Sequence, residues 1–175
     1  MTPDILTSAG RLFRFDAPLH NVIEIDEIAH ALSHLCRFCG HTQQLYTVAQ
    51  HSVEVSWIVP AHDALAGLMH DAAEAFVGDM PAPLKRLLPD YARIERQVEE
   101  AVAHRFDLPL TLPDSVKHAD LVLLATEMRD LMPAHEGPFA WQSRGDVQPL
   151  GKRLVAWSPL MAKVAFLNRY EELTQ

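Results

Sequence analysis

Apolar residues recur at helical spacing through most of the chain. Over 25–36, Ile25, Ile28, Ala29, Leu32 and Leu35 fall three and four residues apart, and Glu24, Asp26 and Glu27 supply the acid that the positive end of a helix favours. The spacing predicts a first helix there, with Gly40 beyond its exit. A second helix is predicted over 47–59, stopped by Pro60, and a third over 63–77. The third is apolar on most sides through Leu65, Leu68, Met69, Ala72, Ala73 and Phe76, and is expected at the centre of the fold. Residues 78–83, Gly-Asp-Met-Pro-Ala-Pro, read as a loop, because two close prolines cannot sit in a continuing helix. Amphipathic helices follow over 91–106 and, with Asp114 or Ser115 as cap, over 116–132. Ser158-Pro159 opens the last helix by side-chain capping and a first-turn proline.

Two stretches interrupt this period. Residues 1–22 mix short apolar runs with turn residues, and the alternation over 11–15 suggests a small edge hairpin or an N-terminal extension. Residues 133–157 read as a long loop able to lie over a cleft, with Trp141 placed to cover it or to meet a partner. No internal repeat is visible. The fold class expected is all-α, with a single domain over 1–175.

Composition narrows the function classes. With 175 residues, 49% hydrophobic and 22% charged, the chain can bury a core without disulfides. A formal charge of -8 disfavours a broad grip on nucleic acid or on an anionic membrane, so any phosphate must meet a local cluster of cations. No apolar run is long enough to span a bilayer, and residues 1–10 lack a basic-then-apolar leader, so a cytoplasmic location is expected. Cys36 and Cys39 form a C-x-x-C that invites a redox or zinc reading. Without a second pair they read as reduced, structural thiols.

Ten histidines are many for this length, and most have ordinary readings. His20, His104 and His135 fall in loops or on polar faces and read as solvated, while His30, His34 and His41 flank the first helix and read as surface or supporting residues. His70-Asp71 differs: it is a polar pair inside the most apolar helix, where an unpaired carboxylate would be costly to bury. Both side chains can reach one ion beside the helix, with Glu74 one turn on. A buried His and Asp bonded to backbone or to an arginine would satisfy the same pattern. The earlier His62-Asp63 follows a proline, and its aspartate reads as a helix cap.

Three segments carry more than composition does. V-A-Q-H-S at 48–52, H-D-A-A-E-A-F-V-G-D-M-P-A-P-L-K at 70–85 and K-H-A-D at 117–120 resemble, in order and spacing, the motifs of the HD-domain phosphohydrolases. They are most similar to the branch of YfbR-like 5'-deoxynucleotidases and phage deoxynucleoside triphosphohydrolases. The H-D dipeptide alone specifies nothing, whereas its extension through G-D-x-P-x-P-x-K is specific.

The resemblance implies a helical HD bundle with a metal site in a central cleft. It implies metal ligands at His51, His70, Asp71 and Asp120, a donor set that suits one divalent Co, Mn, Zn, Fe or Ni, with Mg as an additional ion. Glu74 matches the family's acid/base residue and Asp79 the loop carboxylate near the attacking water, which a dication makes acidic near neutral pH. Arg37, Lys85 and Lys117 match its phosphate-gripping cations. Phe38 stands where the relatives commonly carry a tryptophan against the sugar, which loosens the implication of deoxy-selectivity.

The leading expectation is therefore a divalent-metal phosphohydrolase acting on a small-molecule nucleotide. It would release phosphate from a monophosphate or triphosphate from a dNTP, from a homodimer or larger oligomer that holds neither nucleic acid nor membrane. The alternatives are a cyclic-nucleotide phosphodiesterase or alarmone hydrolase, a nucleotide-binding regulatory module, and a redox protein built on the C-x-x-C.

Overall fold

The computed structural model describes residues 2–134 and 147–175. Helices dominate: α1 (Ile25–His34), α2 (Val48–Ile58), α3 (Ala64–Met69), α4 (Glu74–Val77), α5 (Ala82–Lys85), α6 (Pro89–Arg105), α7 (Asp114–Asp130) and α8 (Pro159–Thr174). The fold is all-α, as the helical spacing along the chain predicts. His135 and Trp141 lie outside the described residues.

The axis of the bundle is α2. The Thr47 hydroxyl accepts the Gln50 N–H and caps its start. Every residue over 48–56 is then buried, because α1, α3, α7 and α8 all pack on it. Apolar clusters lie on either side, one around Phe13, Leu32, Leu68 and Phe166, the other around Tyr46, Val55, Val116 and Leu123. Gly67 lets α3 approach closely: a Cβ there would meet Val59 Cγ2 at 3.1 Å and Ser56 Cα at 3.3 Å.

The apolar stretch 63–77 is buried as expected, but it is not one helix. A 3-10 turn at Ala61–Asp63 leads into α3, and α4 starts only at Glu74. Between them the Ala72, Glu74, Ala75 and Phe76 amides bond three residues back, to Met69, Asp71, Ala72 and Ala73. At about three residues per turn, side chains three apart eclipse, so Asp71 and Glu74 stack on one side. Asp63 departs from the capping role: its side chain accepts from Ser115 Oγ of α7 rather than from its own helix. The first helix also ends earlier than expected, at His34, and residues 37–40 form a separate 3-10 turn. Residues 78–83 likewise include the start of the one-turn α5.

The N-terminal hairpin pairs β1 (Asp4–Leu6) with β2 (Leu12–Arg14), Ile5 opposite Phe13. Phe13 is its inward anchor and stacks on Phe76 at 4.1 Å between ring centroids. Glu27 of α1 fastens the hairpin by accepting from Thr7 Oγ1 and by pairing with Arg11 Nη2 at 2.6 Å. Burial would raise the Glu27 carboxyl, but Thr7 and Arg11 outweigh it and hold it below its ordinary value of 4.5. A depressed carboxyl adds stability above the unfolded value and loses it as pH falls through the folded one. Glu27→Ala should cost about 1 to 3 kcal/mol near neutrality. The gap between the urea midpoints of parent and variant should close as the solution is acidified below about pH 4.

Candidate metal centre

His51 sits in the first turns of α2, fully buried, and His70 follows the last residue of α3. Their Nε2 atoms face each other at 3.3 Å. Asp120 of α7 brings Oδ1 to 3.1 Å from His51 Nε2, and Asp71 brings Oδ2 to 3.1 Å from His70 Nε2 and 3.6 Å from His51 Nε2. The structure thus gathers all four expected ligands.

The outer nitrogens show what the inner ones offer. His51 Nδ1 lies 2.6 Å from Glu127 Oε1, and His70 Nδ1 lies 2.8 Å from the Gly67 carbonyl. Both partners are acceptors, so each Nδ1 carries a ring proton, and each ring in its neutral form would turn the Nε2 lone pair inward. Two lone pairs and two carboxylates crowded within this space call for a cation. Donors about 2.1 Å from one ion sit about 3.0 to 3.4 Å apart in octahedral or tetrahedral arrangement. The 3.3, 3.1 and 3.1 Å separations fall in that range and the 3.6 Å between Asp71 and His51 lies just outside it, so the residues fit a divalent ion with Asp71 the most loosely placed. Among the described residues, the His/Cys/Asp/Glu group whose ligand atoms all lie within 4.8 Å of one another is His51, His70 and Asp120, without Asp71.

Charge in the cluster is organised by the same contacts. Burial and Arg37 work against a charged His51, yet Glu127 and Asp120 prevail and push its pKa up to about 9 without an ion. Burial would raise Asp71, but His70, His51 and Arg37 hold it well below the usual carboxylate range. Glu74 behaves in the opposite way. Burial, then Asp71 and Asp79, push its pKa up to about 10, and its buried Oε2 has no hydrogen-bond partner among the described residues. Burial raises the Asp79 carboxyl as well, against the pull of Arg37.

A cleft of about 350 Å³ opens beside the cluster, lined by Arg37, Phe38, Asp71, Glu74, Asp79, Lys85 and Asp120 among others. Arg37 and Phe38 arrive on the 3-10 turn 37–40, where Phe38 and Cys39 adopt φ of 54° and 52°. Non-glycine residues pay for such a backbone, which is tolerated where it aims a side chain. Here the Arg37 guanidinium lies 5.6 Å from the Phe38 ring centroid and points Nη1 at Asp71, 3.6 Å away. Both cysteines are free thiols, and Arg37 N–H bonds the Tyr46 carbonyl, so the C-x-x-C segment serves here as the backbone that presents Arg37 and Phe38.

Lys117 is not brought to this cleft. It lies one turn before Asp120 on α7, exposed, with Nζ 2.8 Å from Asp114 Oδ1. Spacing on one helix face placed it near the ion, but the neighbouring carboxylate draws it outward. A surface pair of this type holds the side chain only weakly. His62 is 79% exposed and no part of the cluster. A separate cavity of about 260 Å³ lies behind His70, walled by Met69, Ala73, Val102 and Leu108, and it contains none of the carboxylate ligands.

Glu127 escaped the reading of the sequence. It is fully buried, bonds His51 Nδ1, and receives Arg37 through Nε at 3.3 Å and Nη2 at 3.1 Å. One carboxylate therefore orients a candidate ligand and the Arg37 guanidinium together. Its only sequence signal is a position two turns beyond Asp120 on an otherwise buried face.

Comparison with known proteins agrees with this geometry. Residues 31–132 match the family model described as 5'-deoxynucleotidase YfbR-like. The uncharacterized protein YfdR of Escherichia coli (strain K12) is 40% identical over 98% of this chain and 96% of its own. A 5'-deoxynucleotidase of Vibrio atlanticus (strain LGP32) is 30% identical over 33% of this chain and 38% of its own, and one of Vibrio parahaemolyticus is 27% identical over the same shares.

Proposed function

Because this chain belongs to the YfbR-like 5'-deoxynucleotidase family, we propose that it hydrolyses the phosphate ester of a 5'-deoxynucleoside monophosphate, with a divalent ion on His51, His70, Asp71 and Asp120. The observation that carries this reading is the pair of Nε2 lone pairs and carboxylates at ion-sharing distances, opening on a cleft that holds Arg37 and Lys85.

Charge favours one phosphate over three. Among the described residues lining the cleft, Arg37 and Lys85 are the cations, against carboxylates at Asp71, Glu74, Asp79 and Asp120. With one dication and Glu74 protonated, those groups compensate a dianion better than the roughly fourfold charge of a triphosphate. Phe38 offers an aromatic face to the sugar, and the names of the Vibrio relatives support the deoxy form.

When bound, the ion would supply a Lewis acid and make a water acidic enough to attack near neutral pH. The chain's own residues supply the rest. Arg37, fixed by Glu127, presents a guanidinium that cannot lose its charge, with Nη1 toward the cluster. Lys85 adds an ammonium at the cleft wall. Glu74, protonated and buried beside Asp71, is suited to deliver its proton to the departing 5' oxygen. Asp79 across the cleft is suited to orient the attacking water and receive its proton.

The test is a panel of dNMPs, NMPs and dNTPs with Co, Mn, Mg or Zn, with products resolved as phosphate, pyrophosphate or triphosphate. Release of phosphate from dNMPs is expected. Triphosphate from dNTPs, with no phosphate from any dNMP, would sink the monophosphate reading while leaving a phosphohydrolase.

A further inference from the structure

We propose that Tyr91 and Glu95 of α6 are positioning residues that set the Asp79 turn and Lys85 for the reaction, an inference that rests on the reading of this cleft as a phosphohydrolase site. Neither residue touches the ion cluster. They lie behind the wall that carries two of its working groups.

The wall itself has little to hold it. α4 ends at Gly78, whose φ of 84° and ψ of 159° lie in a region open essentially to glycine alone. Asp79 follows directly, and Pro81 ahead of α5 and Pro83 within its first turn remove two backbone donors. A turn built this way takes its orientation from outside contacts.

Tyr91 provides one. Its hydroxyl donates to the Gly78 carbonyl at 3.1 Å, with the Val77 carbonyl at 3.5 Å. Glu95, one helical turn further along α6, provides the other. Only 6% exposed, it accepts from Lys85 Nζ through Oε1 at 2.7 Å, and the same oxygen lies 3.4 Å from the Tyr91 hydroxyl. A carboxylate buried to that degree is held by such partners, and in return fixes them. One oxygen thus joins the ammonium at the cleft wall to the phenol that pins the Asp79 turn. Spacing on α6 puts residues 91 and 95 on one face, which makes the pair a rigid rail along the back of the loop.

Two effects should separate. Loss of the Tyr91 hydroxyl should misalign Asp79, which acts on the attacking water, and so lower kcat with KM little changed. Loss of the Glu95 charge should free Lys85, which meets the phosphate, and so raise KM. For a single hydrogen bond the expected size is about three- to tenfold.

The experiment uses the full chain loaded with Co, with Tyr91→Phe and Glu95→Gln made singly and Tyr91→Phe also combined with Asp79→Asn. Phosphate release from dNMPs gives kcat and KM, and amide hydrogen exchange follows the peptides over 78–85 and over α2. Faster exchange over 78–85 in Tyr91→Phe, with α2 unchanged, is expected. The kcat loss of Tyr91→Phe should vanish in the Asp79→Asn background. Unchanged exchange over 78–85 would overturn the proposal, as would a Tyr91→Phe loss that simply multiplies that of Asp79→Asn. If the parent released no phosphate from any dNMP, the functional reading would fall, while the exchange data would still decide whether Tyr91 and Glu95 hold the turn.

Discussion

Asp71→Ala should empty the site of its ion and abolish phosphate release while the helices stay folded. Asp71 Oδ2 lies within 3.1 Å of His70 Nε2, and the same carboxylate faces Arg37. Its removal takes away a ligand and an ion-pair partner together. The side chain is 19% exposed and stands outside the apolar clusters, so no cavity opens in the core. A bound dication contributes several kcal/mol of charge stabilisation in the transition state, and its loss corresponds to a fall in kcat/KM of about 10³-fold or more. Metal analysis of the purified variant, with circular dichroism as the control for folding, checks both halves. Stoichiometric metal with full turnover would refute the ligand assignment.

Glu74→Gln separates the proton from the ion. The amide keeps the shape of the side chain but has no acidic proton to deliver, so kcat should fall by about 10²- to 10⁴-fold with metal content unchanged. The metal-free protein gives a second reading of the same residue. Its folded pKa, pushed up to about 10, stands above the ordinary 4.5, so between those values the native state keeps a proton that the unfolded chain has released. Glu74 thus makes the metal-free parent lose stability as pH rises through that window, and Glu74→Gln removes that contribution while leaving the one from His51. The variant should melt higher than the parent by a margin that grows from pH 5 to pH 8. A margin that shrank over that range would contradict the buried, protonated carboxyl.

Much of this was legible in the residues, for identifiable reasons. The candidate ligands could be ordered along the chain by resemblance to family motifs: His51 in V-A-Q-H-S, His70 and Asp71 at the head of H-D-A-A-E, Asp120 closing K-H-A-D. The hairpin followed from alternation around Phe13. Local spacing was silent where tertiary packing decides. Helical periodicity runs unbroken through 63–77, and nothing in it announces the tightened turn that stacks Glu74 on Asp71. The most buried helix proved to be α2, whose Gln50, His51, Ser52 and Glu54 make it read as less apolar than α3. Glu127 and Glu95 look like ordinary helix acids until Arg37, 90 positions away, and Lys85, 10 positions away, meet them. Sharing a face with Asp120 likewise does not announce that Lys117 lies 2.8 Å from Asp114 Oδ1 rather than in the cleft lining.

The bond from His51 to Glu127 spans 76 positions of the chain, and Asp120 lies on the same helix as Glu127. A chain emerging from the ribosome therefore presents His51, His70 and Asp71 long before it can complete the site. Until α7 docks, the two imidazoles lack both the fourth ligand and the carboxylate that fixes the ring of His51. If an ion binds there, its uptake would be a late event that follows finished folding, and an added ion should slow global unfolding more than it hastens the first collapse.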